Sequence, residues 1–136
     1  MSDEPLDAAI VGAGAAGLFT AIHALRTRPG ARIALLEGTR RAGTKILVSG
    51  GGRCNVTNRV VRPADYHGER AFVAKVLGRF DQSRTLEFFA EIGCPLVHEP
   101  EFDKYFPATQ DAHTVLDALL GELARLGCEP RTGVRV

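Results

Sequence analysis

The sequence predicts an α/β fold organised around a parallel βαβ unit, and three observations predict it. Two short apolar runs of strand length, Leu6 to Val11 and Arg32 to Glu37, flank one Ala- and Leu-rich helical stretch. Strand, helix and strand together run from Leu6 to Glu37, the size of such a unit. Nine of the 15 glycines fall between Gly12 and Gly52, which marks backbone that another group approaches closely.

The helical stretch begins near Gly14 and runs to about Arg26. Ala13, Ala16, Ala21 and Ala24 give it a small-residue surface for lying close on a sheet, and Pro29-Gly30 ends it. From Gly38 to about Arg62 the period is lost apart from Ile46-Leu47-Val48, so this stretch is expected to be an ordered, glycine-rich loop. Helices are expected over Glu69 to Phe80 and Ser83 to Ile92, with Phe72, Val76, Leu77, Phe80, Leu86, Phe89 and Ala90 in the core. Short strands follow at Leu96 to Glu99 and Lys104 to Pro107. The clearest helix spans Asp111 to Leu126, where Ala112, Val115, Leu116, Leu119, Leu120 and Leu123 form one apolar face. Thr109 or Asp111 caps its start and Gly127 its end. Cys128 to Arg131 is a last short strand, placed by Pro130 at a sheet edge. Residues 38–110 therefore form a long insertion between the second strand and the 111–126 helix.

Composition narrows the function classes. A chain of 136 residues and 14.6 kDa is one domain or part of a larger one. It is 45% hydrophobic and 24% charged, ordinary for a globular protein and wrong for a disordered one. A net charge of +1 provides no strong field for nucleic acid or an anionic membrane, and neither is expected as a partner. The apolar run from Ala8 to Ile22 is shorter than the roughly 20 residues a membrane span needs. The acidic start Met1-Ser2-Asp3-Glu4 lacks the basic region of a signal peptide. Cys54, Cys94 and Cys128 are odd in number and far apart, and the four histidines are scattered. No metal site and no disulfide framework is expected, and a reducing cytoplasm fits best. Cys94 and Cys128 are expected to be buried as small hydrophobes.

Gly12, Gly14 and Gly17 form G-x-G-x-x-G between a strand and a helix. The first glycine permits a tight turn, the second leaves room for a pyrophosphate to meet the backbone, and the third lets helix and strand pack closely. The helix N-terminus then presents free N–H groups and a partial positive charge. Glu37 ends the second strand downstream of Gly17, at the spacing where an acid accepts hydrogen bonds from adenosine ribose hydroxyls. This pattern predicts dinucleotide binding and disfavours NADP, whose 2′-phosphate an acid would repel. Charge follows the glycines. Positions 1–60 carry eight basic and four acidic side chains, net +4, and positions 61–136 carry nine and twelve, net −3.

The fingerprint does not separate NAD from FAD. The following stretch, Gly43-Thr44-Lys45-Ile46-Leu47-Val48-Ser49-Gly50-Gly51-Gly52-Arg53-Cys54-Asn55-Val56-Thr57-Asn58, resembles the BaiN-type, aminoacetone-oxidase-like flavoprotein family. Tyr105-Phe106-Pro107-Ala108-Thr109 and the helix after it resemble the same family, so the likeness runs from about Asp7 to Val136. It implies an incomplete Rossmann-type FAD/NAD(P)-binding domain from the N-terminal portion of a flavin-dependent oxidoreductase, linked to NAD(P)H or oxygen and acting on a small-molecule substrate in the full-length protein. By position, Gly12, Gly14, Ala15, Ala16 and Gly17 hold the FAD pyrophosphate and Glu37 the ribose. Lys45, Ser49, Gly50, Gly51, Arg53, Cys54 and Asn55 lie along the phosphates and the flavin, and Val136 offers backbone groups to adenine.

The residue chemistry is compatible with that assignment. Consecutive glycines let N–H groups converge on an anion or on flavin carbonyls. Arg53 and Lys45 neutralise a pyrophosphate, and Asn55 donates and accepts at one place. Nothing marks Cys54 as an activated thiol, so it reads as packed or flavin-adjacent. Thr44, where many relatives carry Arg or Lys, and Pro130 depart from the family pattern. Family members are much longer, so this portion alone is expected to bind FAD weakly or not at all and to be inactive, and no catalytic residue is assigned. Two alternatives stay open: an NAD-binding dehydrogenase domain, and a nucleotide-binding module without turnover.

Overall fold

The computed structural model describes residues 5–136, and the acidic start at residues 1–4 lies outside them. In chain order the elements are β1 (Ala8–Val11), α1 (Ala15–Thr27), β2 (Ile33–Glu37), α2 (Thr44–Val48), β3 (Thr57–Asn58), α3 (Arg70–Arg79), α4 (Gln82–Glu91), β4 (Leu96–Glu99), β5 (Lys104–Pro107), α5 (Ala112–Arg125) and β6 (Pro130–Thr132). They form two three-stranded sheets. The first is parallel, in the order β1-β2-β6, with Ala8 opposite Ile33 and Leu35 opposite Pro130. Pro130 occupies the edge strand, where its missing N–H costs least. The second is antiparallel, in the order β3-β5-β4.

The core lies where α1 and α5 meet. Leu18, Ala21, Ile22 and Leu25 of α1 join Val115, Leu116, Leu119 and Leu123 of α5 over Leu35 of β2. Asp111 caps α5 by accepting the His113 N–H at 2.9 Å. Phe88 and Phe89 of α4 extend this core toward the second sheet, where Phe19 packs edge to face on both Phe80 and Phe88, and His23 packs edge to face on Phe80. Burial holds the His23 imidazole below its ordinary pKa, so it packs there as a neutral ring. Cys54, Cys94 and Cys128 are buried free thiols, and burial raises all three, Cys94 to about 11.

Three expectations need correction. The strand expected to be buried, β1, is an edge of its sheet, and Val11 is 66% exposed. Phe72, Val76 and Ala90 are not core: α3 buries no residue, Phe72 and Val76 are 64% and 47% exposed, and Ala90 lies on the exposed side of α4. Helix α3 packs chiefly on the turn at residues 63–65, so much of its apolar stripe stays open. The loop after β2 contains helix α2, followed by a 3-10 turn over Ser49–Gly52. Among the described residues, no helix is long and apolar enough to cross a membrane.

One ion-pair cluster ties the helices together. Glu122 of α5 is 8% exposed and accepts hydrogen bonds from Arg125 at 2.7 Å and from Arg26 of α1 at 2.8 Å. Arg26 also reaches Glu91 of α4 at 3.1 Å. Arg125 first, and Arg26 after it, hold the Glu122 carboxyl down at about 2 despite its burial. A depressed carboxylate stabilises the fold above its unfolded pKa, and that contribution is lost as pH falls through the folded one. Glu122→Gln is expected to cost roughly 2 kcal/mol at pH 7, after allowing for solvent screening of exposed Arg125. The deficit should shrink as the pH falls from 4.5 toward 2. Urea denaturation of both proteins across that range measures it, and a constant deficit would contradict the linkage.

Candidate functional site

The site is built where β1 turns into α1. Gly12 adopts φ +95°, a turn that a side chain resists. A Cβ on Gly17 would lie 1.8 Å from the Gly12 carbonyl oxygen, so only glycine lets the helix start against its own turn. A Cβ on Gly14, by contrast, would meet nothing within 4 Å. The missing side chain at Gly14 therefore opens space in front of the helix rather than relieving an internal clash.

The first bond of α1 runs from the Leu18 N–H to the Gly14 carbonyl at 3.0 Å, which leaves the amides of Ala15, Ala16 and Gly17 ahead of the helical ladder. No side chain caps them and no acid stands in the first turn. The helix start is thus an uncompensated donor set with partial positive charge. Glu37 stands at the end of β2, where Oε2 accepts the Ala13 N–H at 2.9 Å and Oε1 accepts the Thr39 N–H at 2.8 Å. These bonds, Thr39 first, hold its carboxyl below the ordinary range, so it is ionised at neutral pH. The Ala13 carbonyl in turn accepts the Gly43 N–H at 2.8 Å, which fixes the start of α2.

A cleft of about 780 Å³ opens beside this turn. Ala15 and Ala16 line it on one side, and Lys45, Ser49, Cys54 and Asn55 on another. Phe19, Tyr66, Phe80 and Phe89 make its remaining wall largely apolar. Lys45 is exposed and has no ion-pair partner among the described residues. Asn55 Nδ2 donates to Asn58 Oδ1 at 3.2 Å, while its own Oδ1 is buried without a partner. A residue with an orphaned acceptor, an unpaired cation and two residues of the open helix start line one cleft, and this donor and acceptor set fits a dinucleotide.

The HI0933-like protein Rossmann domain family matches residues 6–136. The chain belongs to that family. This HI0933-like chain is 41% identical over 128 residues to a 3-dehydro-bile acid delta(4,6)-reductase of Clostridium scindens, covering 93% of this chain and 31% of that protein. It is 38% identical over 120 residues to a ribosomal RNA dihydrouridine synthase of Escherichia coli, covering 88% and 29%. The chain thus spans about a third of the length of the curated relatives it matches. Among solved structures, Thermovibrio ammonificans THI4 superposes with a TM-score of 0.61 at 20% identity, over 94% of this chain and 38% of that one. The open conformation of a flavocytochrome c3 fumarate reductase superposes with a TM-score of 0.58 at 18% identity, over 98% and 28%. Both likenesses support the fold. The family is the BaiN-like flavoprotein family that the Ser49 to Asn58 stretch resembles, and its Rossmann domain is of the flavin-binding kind.

In this HI0933-like domain the structure brings together Gly12, Gly14, Ala15, Ala16, Gly17, Lys45, Ser49, Cys54 and Asn55 around the turn and the cleft. Glu37 joins them through Ala13. Val136 is exposed, but the chain leading to it returns to the end of β2, where Val134 N–H donates to the Glu37 carbonyl at 2.9 Å. Gly50 and Gly51 form the left-handed turn after α2, with φ +55° and +66°. Arg53 points away from the cleft, onto Glu99 at 2.8 Å and over the Phe106 ring at 4.1 Å. Glu99 and Gln110 are the partners that sequence reasoning missed: they lie 46 and 57 residues from Arg53, and no local pattern connects them.

The two inner glycines separate packing from access. Gly17→Ala is expected to destabilise the fold by at least about 3 kcal/mol, because the new methyl meets backbone. Gly14→Ala should stay within about 1 kcal/mol of the parent. Urea denaturation followed by circular dichroism ranks the two, and equal costs would contradict the division.

Proposed function

We propose that this chain is the FAD-binding front portion of an oxidoreductase, holding the dinucleotide across the β1–α1 turn and the adjoining cleft. The observation that carries the reading is the open space at Gly14 before an uncapped helix start, with ionised Glu37 on one side and unpaired Lys45 on the other. The family supports flavin over nicotinamide, and the name of one structural neighbour, a flavocytochrome, agrees.

In this reading the amides of Ala15, Ala16 and Gly17 donate to the pyrophosphate, and Lys45 neutralises its charge. Glu37 accepts from the ribose hydroxyls with the lone pairs that Ala13 and Thr39 leave free. Ser49, Gly50, Gly51, Cys54 and Asn55 shape the flavin end, where Asn55 Oδ1 meets a donor. The backbone of Val136 meets adenine. FAD supplies the hydride or electron transfer when bound, and the protein supplies orientation and exclusion of water. The thiol of Cys54, raised by burial, stays protonated and takes no redox part.

Two relatives are named for a reductase and a dihydrouridine synthase, both redox activities, which supports the oxidoreductase class. Their substrates, a bile acid and ribosomal RNA, differ although both share this domain. Substrate choice is accordingly assigned to the part of those proteins outside the match, which is about two thirds of each.

Calorimetric titration of the chain with FAD, ADP, FMN and NAD tests the proposal. FAD is expected to bind, ADP to compete with it, and FMN, which lacks the adenylate, to bind far more weakly. Gly14→Val should lower FAD affinity by about tenfold or more while lowering the melting temperature by only a few degrees. A preference for NAD with no response to FAD overturns the flavin reading.

A further inference from the structure

Arg53, expected with Lys45 to neutralise a pyrophosphate, does not line the cleft. Arg53 Nη1 donates to both oxygens of Glu99, at 2.8 and 3.2 Å, and to Gln110 Oε1 at 3.1 Å. Its guanidinium carbon lies 4.1 Å from the centroid of the Phe106 ring. The same ring carries the start of the glycine run, because a Cβ on Gly50 would come within 3.1 Å of it and 2.7 Å of the Asn55 nitrogen. One residue further on, the Val56 N–H donates to the Tyr105 carbonyl at 3.0 Å. Strand β5 is therefore a platform: Gly50 and Arg53 both rest on Phe106, and Val56 pairs with its neighbour. Between these anchors, Cys54 is held at φ +60° and Asn55 turns toward the cleft. A non-glycine residue in the left-handed region persists only where its surroundings over-determine it.

We infer that Arg53 and Glu99 are positioning residues, a latch on Phe106 that sets the Ser49–Asn55 loop for the cofactor without touching it. The pair is partly shielded and charge-assisted, so it restrains the loop more than an exposed surface pair would. The proposal rests on the flavin reading for its ligand, but not for its geometry.

The latch and a direct phosphate contact predict opposite signs. Were Arg53 a phosphate ligand held back by Glu99, Glu99→Gln would release it and tighten FAD. As a latch, Glu99→Gln and Arg53→Met both weaken FAD by about tenfold, and the double variant is no worse than either single one. Arg53→Lys keeps the charge but loses the planar stack and recovers only part of the affinity. The second readout needs no cofactor: amide hydrogen exchange at residues 50–56 should accelerate in both single variants, while exchange in α1 and α5 is unchanged. Tighter FAD binding by Glu99→Gln, or loop exchange equal to the parent, overturns the latch. If the parent chain prefers NAD and takes up no FAD, the flavin reading fails, and in any case without FAD uptake the exchange measurement alone decides the latch.

Discussion

The structure depends on one close approach, that of α1 to the turn from which it springs. With no Cβ at Gly17, the helix backbone and the Gly12 carbonyl occupy space that any side chain would contest. That contact leaves Ala13 fully buried between two hydrogen bonds. Its N–H goes to the Glu37 carboxylate at the end of β2, and its carbonyl takes the Gly43 N–H at the start of α2. One buried alanine thus sets the position of the acid on one side of the helix start and of Lys45 and Ser49 on the other. Loosening the turn would move all three relative to the helix amides, so the geometry of binding and the stability of the fold share a cause.

Charge in the site is settled by pairing rather than by composition. Positions 1–60 carry a net +4, which reads as a field for an anionic ligand. In the fold much of that charge is already answered. Arg26 faces Glu91 and Glu122, Arg28 faces Asp7, Arg53 faces Glu99 and Arg59 faces Asp103. Several of these acids come from the second half of the chain, so the two halves neutralise each other across the core. What remains at the cleft is Lys45 and the dipole of α1. A single cation beside oriented amides is enough for a pyrophosphate, and it adds little long-range attraction for other polyanions.

The fold was legible where a pattern is local. Strands β4 and β5 fall on the residues expected, because each is a short apolar run bounded by turn-forming residues. The glycine fingerprint and Glu37 were legible because spacing alone carries their geometry. Helix α2 was not, since the five residues Thr44–Val48 are too few to show a helical period. Periodicity also located the apolar stripe of α3, with Phe72 and Val76 on it, but a pattern says which face is apolar and not whether anything covers it. The exposure of Val11 has the same origin: an apolar run predicts a buried strand, and burial depends on neighbours that only topology assigns. The partners of Arg53 are hidden for a further reason. An arginine among glycines looks the same in sequence whether it faces a phosphate or a glutamate.

That ambiguity bears on what the Ser-Gly-Gly-Gly-Arg-Cys-Asn stretch encodes. Gly50 is glycine because Phe106 and the Asn55 nitrogen leave no room for a methyl group, whereas around Gly51 the space is open and its φ of +66° sets the requirement. Arg53 meets Glu99 and Phe106, and Cys54 lies buried at a left-handed φ. Only Ser49, Cys54 and Asn55 of this stretch line the cleft, and of these Asn55 alone carries a buried polar atom without a partner. Most of the motif is thus devoted to shaping a backbone that presents one amide side chain. A loop of this kind is specified by what lies beneath it, and the antiparallel sheet between β2 and α5 is the surface on which the loop is formed.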